Sequence, residues 1–265
     1  MEILIRDTPD EVAVTAADIV ATYVRRGAVL GLATGSTPVA TYQELIRRHR
    51  EQGLSFSGCT AYLLDEYIGL SPEHEQSYYR FIRDEFTAHI DIDDDAVHSP
   101  DGLDPKPWLA AEKYDAAIRE SGGISVQILG IGTNGHIGFN EPASPLKART
   151  RVETLHAQTV SDNSRFFDSI DEVPTHALTQ GLGTILDCEQ PLLLATGFGK
   201  ADAIAAMVEG PLSASCPASA LQMHDRTTLV IDAAAASGLV RTDYYRHVEQ
   251  SRPAWSGVDG RPVEG

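Results

Sequence analysis

Ala28-Val29-Leu30-Gly31-Leu32, followed at once by Ala33-Thr34-Gly35-Ser36-Thr37-Pro38, passes from an apolar run through a Gly/Thr/Ser turn to a proline placed for a helix start. The apolar run has the length of a strand buried on both faces. Pro38 suits the first helical position, with Thr37 as N-cap, and the helix is expected to run to residue 50. Gly35 lets the backbone turn tightly. A buried strand that feeds a helix through so short a turn is the opening of a βαβ unit.

The same alternation extends outward in both directions. Strands are expected at residues 3–5, 61–64, 124–131, 192–195 and 229–231. Helices are expected at 10–26, with Val12, Ala16, Ile19, Val20 and Tyr23 at helical spacing, and at 77–89, 107–119 and 200–209. Alternating β and α segments predict an α/β fold. It is a doubly wound, mostly parallel sheet with helices on both faces, Rossmann-like in architecture. Residues 155–180 lack a clean strand pattern and read as a helical, lid-like excursion over one edge. Residues 1–250 read as a single domain. The Pro-, Gly- and charge-rich residues 251–265 read as a frayed tail.

Composition narrows the function classes. Hydrophobic residues make up 42% of the 265 and charged residues 22%, ordinary globular usage that excludes disorder and coiled coil. The net charge of −17 repels polyanions, so nucleic acid is not an expected partner. Only Lys106, Lys113, Lys147 and Lys200 are lysines, so an anionic ligand must be held by a few local cations and by backbone N–H groups. Cys59, Cys188 and Cys216 are odd in number and far apart, which fits a reducing cytoplasm better than a disulfide framework. No signal peptide and no membrane-length apolar run is visible, so no membrane association is expected. No local His, Cys or carboxylate spacing matches a metal site: His247-Val248-Glu249 has no cysteine pair after it. No metal and no cofactor are expected.

Four clusters sit at expected strand ends or near them, where open α/β sheets bind ligands. The turn at Gly35, Ser36 and Thr37 offers N–H groups and hydroxyls at a positive helix end; it is either a phosphate cradle or an ordinary strand-to-helix turn. Leu64-Asp65-Glu66-Tyr67 places two carboxylates just past a buried strand. Asp65 is either a general base or a loop residue. Gly130-Ile131-Gly132-Thr133-Asn134-Gly135-His136, continuing through Glu141, puts a His and a Glu five residues apart on a Gly-rich loop that can face one pocket. Arg165, in the excursion, and Lys200, opening a helix after a strand, are two separated cations. Each is either an anion ligand or an ordinary surface charge.

Together these segments resemble the glucosamine-6-phosphate deaminase family. The resemblance is carried by ATGSTP at 33–38, LDEY at 64–67, SYYRF at 77–81, GIGTNGHIGFNEPAS at 130–144, RTRVETL at 149–155, NSRFF at 163–167 and ALTQGLGTIL at 177–186. It implies an isomerisation coupled to deamination, in which glucosamine 6-phosphate and water give fructose 6-phosphate and ammonia, in amino-sugar catabolism. It further implies that Asp65 moves the C2 proton to C1 and that His136 opens the pyranose ring, with Glu141 and Asn134 in support. The family's phosphate contacts fall on Ser36, Thr37, Arg165 and Lys200, with Gly35 shaping the turn. A homo-oligomer is left open. Two departures stand out: Asn134 occupies a position where many members carry Asp, and Glu153, two residues after Arg151, stands where allosteric members carry a Lys for an activator phosphate. The resemblance does not separate glucosamine from galactosamine 6-phosphate. A 6-phosphogluconolactonase shares the expected fold and turn, but Phe139-Asn140-Glu141-Pro142 argues against it. A non-catalytic sugar-phosphate sensor would carry a basic DNA-binding module, and none is visible.

Overall fold

The computed structural model describes residues 1–155, 164, 167 and 169–253. The chain runs β1 (Glu2–Arg6), α1 (Pro9–Val24), β2 (Val29–Leu32), α2 (Ser36–Gln52), β3 (Thr60–Leu63), β4 (Asp65–Tyr67), α3 (Tyr78–Glu85), β5 (Val97–His98), α4 (Pro107–Glu120) and β6 (Val126–Leu129). After it come β7 (Arg151–Thr154), β8 (His176–Thr179), α5 (Leu182–Leu186), β9 (Gln190–Ala195), α6 (Ala201–Val208), β10 (Thr228–Asp232) and α7 (Thr242–Gln250).

Strands β6, β9 and β10 are buried at every position, which requires cover on both faces of the sheet. Seven strands lie in the order β1-β10-β9-β6-β2-β3-β5, and every pairing is parallel. From β2 the chain winds out through β3 to β5. It then returns to β6 and winds the other way through β9 and β10. The order therefore reverses between β2 and β6, and the crevice beyond their carboxyl ends is where a doubly wound sheet takes its ligand. The α/β architecture expected from the alternation is present, and each expected core strand lies within a residue or a few of its place.

Local chemistry explains where helices begin. Helix α1 opens on a reciprocal cap: the Thr8 side chain accepts from the Glu11 N–H while Glu11 reaches back to the Thr8 N–H. Helix α2 corrects the expectation of a Thr37 cap. It starts at Ser36, and Gly35 is the N-cap at φ 100°, a conformation open to glycine at little cost. Pro38 is then the third helical residue. Its missing N–H is one of the first-turn groups that has no partner within the helix, so it does no harm there.

The expectation for residues 155–180 also needs correction. His176–Thr179 is a strand, β8, at the centre of a three-stranded antiparallel sheet with β4 and β7. Each of these strands has only three or four residues, and the pairing Asp65 with Thr179 joins segments far apart in sequence. Nothing local marks such a sheet. Of the expected helical excursion, Ile170–Glu172 forms a single helical turn; residues 156–163, 165, 166 and 168 lie outside the described residues, as does 254–265 of the expected tail. Cys59, Cys188 and Cys216 are buried free thiols. Among the described residues no helix is long and apolar enough to cross a membrane.

Candidate active site

The reversal between β2 and β6 opens a cleft of about 360 Å³. The turns after β2 and β6 form two of its walls, Ala33–Pro38 and Gly130–Thr133 with His136, Gly138 and Phe139. Leu64 and Asp65 enter from the end of β3, Tyr78 from α3, and Lys200 from the turn after β9. Six of the nine site residues expected from sequence thus meet in one place: Gly35, Ser36, Thr37, Asp65, His136 and Lys200. Asn134 and Glu141 stand behind His136, and Arg165 lies outside the described residues.

One end of the cleft is built for an anion. Gly35 has no side chain to cap α2, and no side-chain bond satisfies the first turn. The free N–H groups of a 17-residue helix carry the positive end of its dipole. Lys200 follows the glycine turn at Gly197, whose φ is 87° and whose N–H donates to the buried carboxylate of Asp232. Asp232 also accepts from the Ala235 N–H at 2.7 Å, so the end of β10 pins this loop. Burial lowers the proton affinity of Lys200, and among the described residues no carboxylate pairs with its ammonium. A half-buried cation with no counterion among the described residues fits an anionic ligand.

Asp65 lies at the other end, only 5% exposed. Burial, and secondarily the negative Glu66 beside it, push its carboxyl up to about 8. A raised carboxyl in a cleft is a mark of acid–base chemistry. The loop bearing His136 passes close by: a Cβ on Gly138, whose φ is +55°, would stand 3.4 Å from Asp65 Oδ2. The imidazole itself fits only because position 132 is glycine, since a Cβ there would overlap the His136 ring.

Behind the imidazole is a short relay. His136 Nδ1 lies 3.5 Å from Glu141 Oε2, longer than a well-formed hydrogen bond, and such contacts tighten when substrate binds. Asn134 Nδ2 donates to the same Glu141 oxygen at 2.8 Å, and Asn134 Oδ1 accepts from the His136 N–H at 3.2 Å. Asn134 orients both partners and adds no charge. Glu141 is buried on a turn whose next-but-one residue, Ala143, has φ 78°. Arg151 braces that turn, donating to Asn140 Oδ1 at 2.8 Å and to Ser144 Oγ at 3.0 Å, and it pairs with Glu153.

Sequence reasoning missed the aromatic wall. Tyr78 stacks on Phe139 at 4.8–5.8 Å centroid range with Tyr67, the pairs being Tyr78–Phe139 at 5.8 Å and Tyr67–Tyr78 at 4.8 Å. The available signal was the two adjacent tyrosines after Ser77, which caps α3. Among the described residues no group of three or more His, Cys, Asp or Glu is placed to hold a metal.

Comparison with known proteins supplies the remaining context. Residues 2–230 match the family described as glucosamine-6-phosphate isomerases/6-phosphogluconolactonase. A glucosamine-6-phosphate deaminase of Corynebacterium kroppenstedtii is 62% identical over 255 residues, covering 96% of this chain and 99% of that one. One from Rhodococcus jostii is 59% identical over 256 residues, with the same coverage of 96% and 99%. A solved structure described as a monomeric glucosamine-6-phosphate deaminase superposes with a TM-score of 0.87 at 43% identity, over 90% of this chain and all of that one. A 6-phosphogluconolactonase from Trypanosoma brucei, at 20% identity and a TM-score of 0.70 over 90% and 98% of the two chains, shares the fold.

Proposed function

The chain belongs to the family of glucosamine-6-phosphate isomerases and 6-phosphogluconolactonases, and from that premise we infer that it is a glucosamine-6-phosphate deaminase. It converts glucosamine 6-phosphate and water to fructose 6-phosphate and ammonia. The observation that carries the reading is one cleft with a half-buried cation, Lys200, and a helix N-terminus at one end and a buried, proton-hungry carboxylate at the other.

The chemistry follows from that polarity. We assign the phosphate to the N–H groups and hydroxyls of Ser36 and Thr37 at the Gly35 turn, with Lys200 and Arg165 as its cations. Phosphate binding places the sugar, so its energy is spent on alignment. His136, held by Glu141 and Asn134, takes the O1 proton and delivers it to the ring oxygen O5 as the C1–O5 bond breaks, so the ring opens. The open-chain C1 carbonyl then acidifies the C2 proton. Asp65 removes it, an enolamine forms, and the proton returned to C1 leaves an imine at C2. Water hydrolyses the imine to the ketone and releases ammonia. Two bases are needed because O1 and the C2 hydrogen are different protons, lost in successive steps. No protein-bound cofactor enters any of these steps.

The reading treats residues 1–250 as one catalytic domain, supported by a core cluster that runs from Ile3 to Leu239. It places the enzyme in the cytoplasm, where three free thiols are at home. Ammonia release tests it, with glucosamine 6-phosphate, galactosamine 6-phosphate and 6-phosphogluconolactone compared side by side. Ammonia and fructose 6-phosphate are expected in equal amounts from the first. Lactone hydrolysis without ammonia release would overturn the reading.

Two further results are expected. Lys200→Ala should raise KM for glucosamine 6-phosphate by about 10–100-fold, the loss of one charge-assisted contact to phosphate. Steady-state kinetics at fixed ionic strength checks this, and an unchanged KM would place the phosphate elsewhere. Substrate saturation should be hyperbolic and indifferent to N-acetylglucosamine 6-phosphate. Arg151 is already engaged by Glu153, Asn140 and Ser144, and the Glu153 carboxylate repels a second phosphate. Sigmoidal saturation relieved by N-acetylglucosamine 6-phosphate would contradict this.

A further inference from the structure

Glu66 is a buried carboxyl group unused by the steps above. Neighbouring side chains on a strand point to opposite faces, and β4 obeys this: Asp65 lines the cleft while Glu66 turns toward α3. There Glu66 Oε1 accepts from the N–H groups of Tyr67 at 2.8 Å and Tyr78 at 3.0 Å, and Oε2 accepts from the Tyr79 N–H at 2.9 Å. Both oxygens are therefore used as acceptors, an arrangement that only the ionised form satisfies in full. Two of the donors belong to the first turn of α3, whose positive end favours an anion. The first of them is Tyr78, whose ring lines the cleft.

We propose that Glu66 is a positioning residue for the deamination: its ionised carboxylate holds the start of α3, and with it Tyr78, in the cleft wall and stands as a negative charge behind Asp65. The proposal rests on the assignment of Asp65 as the C2 base. The two carboxylates are adjacent in sequence and share a dry site, where like charges resist double ionisation. Burial raises the carboxyls of both, but Glu66 alone has three N–H donors to draw it back, and this difference favours Glu66 as the group that ionises first. The other titratable groups around Asp65 are Tyr78 from α3, Tyr114 from α4, and His136 and Lys200 across the cleft. Both tyrosines are buried and held neutral, so neither supplies a competing charge. Glu66 is the near fixed charge that acts on Asp65.

Glu66→Gln removes the charge and keeps one acceptor oxygen. The acid limb of kcat/KM is expected to move down by on the order of 1–2 pH units, the effect of one charge at this range in a partly screened interior. Activity above the limb is expected to fall as well, because a weaker base removes the C2 proton more slowly. A uniform loss at all pH values with the limb unmoved would reduce Glu66 to a helix cap and overturn the proposal. Carboxyl carbon NMR of the wild-type chain gives a second reading that needs no variant of Glu66 and no turnover. Glu66 is expected to ionise at lower pH than Asp65. Ionisation of Asp65 before Glu66 would overturn the proposal even if deamination itself is confirmed. A wild-type chain that releases no ammonia would instead fault the assigned reaction, and the titration order would still stand.

Discussion

Asp65→Asn is expected to lower kcat by about 10²–10⁴-fold, the usual worth of a positioned general base, while leaving KM within a few-fold of wild type. The amide keeps the shape of the carboxyl and cannot take the C2 proton. The phosphate end of the cleft is untouched. A variant that retained more than about a tenth of wild-type kcat would move the base elsewhere. The same substitution should stabilise the fold, and the sign can be worked out. The carboxyl of Asp65 is raised to about 8 in the folded chain, and an unfolded aspartate sits near ~4. Between those values the unfolded chain releases a proton that the folded chain keeps, so this group lowers stability progressively as pH rises, fully so above about pH 8. Asn abolishes that loss. Thermal melts should show the variant gaining on wild type from pH 5 to pH 8, by on the order of a few kcal/mol. The wild-type rate should follow the opposite sign: kcat/KM rises with pH as Asp65 ionises in the free enzyme.

His136→Ala is the second large effect, with kcat expected to fall by about 10²–10⁴-fold. The ring would then open at a rate set by water, and the open-chain sugar would become scarce in the cleft. Glu141 is left buried without the imidazole, and Asn134 keeps its bond to Glu141, so the loop has a reason to hold its shape. KM should change little, because phosphate contacts are intact. Pre-steady-state kinetics with the pyranose form would show the block before the C2 isotope-sensitive step. A primary deuterium effect at C2 that persists at full size in the variant would contradict the assignment, since ring opening should then mask it. Asn134 sharpens the point. It orients His136 through Glu141 without adding charge, so the relay depends on one carboxylate, and Glu141→Gln should approach the His136→Ala loss.

Legibility in the sequence divides along a physical line. The parallel sheet was readable because β2, β6, β9 and β10 are short apolar runs followed by glycine-containing turns or by helices, all of it local. Asp65, His136 and Lys200 were readable as candidates because they follow such runs. That they share a cleft is a consequence of the reversal between β2 and β6, which no local pattern states. The β4-β8-β7 sheet was missed since its strands are too short to show alternation and β4 pairs with β8 across more than a hundred residues. Glu66 was given no role of its own in the acidic pair. Its partners, the N–H groups of Tyr78 and Tyr79, are backbone atoms of a helix twelve and thirteen residues on, and backbone partners leave no mark in composition. The cap of α2 was misplaced for a related reason. Thr37-Pro38 is a good helix start by residue type, but the positive φ of Gly35 let the helix begin earlier and left its first N–H groups free for an anion.

The claim that one cleft binds phosphate at the α2 end and removes the C2 proton at Asp65 is tested most directly by a crystal structure with the reduced, open-chain form of the substrate, 2-amino-2-deoxyglucitol 6-phosphate. The phosphate is expected on the N–H groups of Ser36 and Thr37 and on Lys200, with C2 about 3–3.5 Å from an Asp65 oxygen, the separation of a proton ready to move. A phosphate bound elsewhere, or a C2 carbon held well beyond reach of Asp65 while the phosphate sits at the α2 turn, would contradict it.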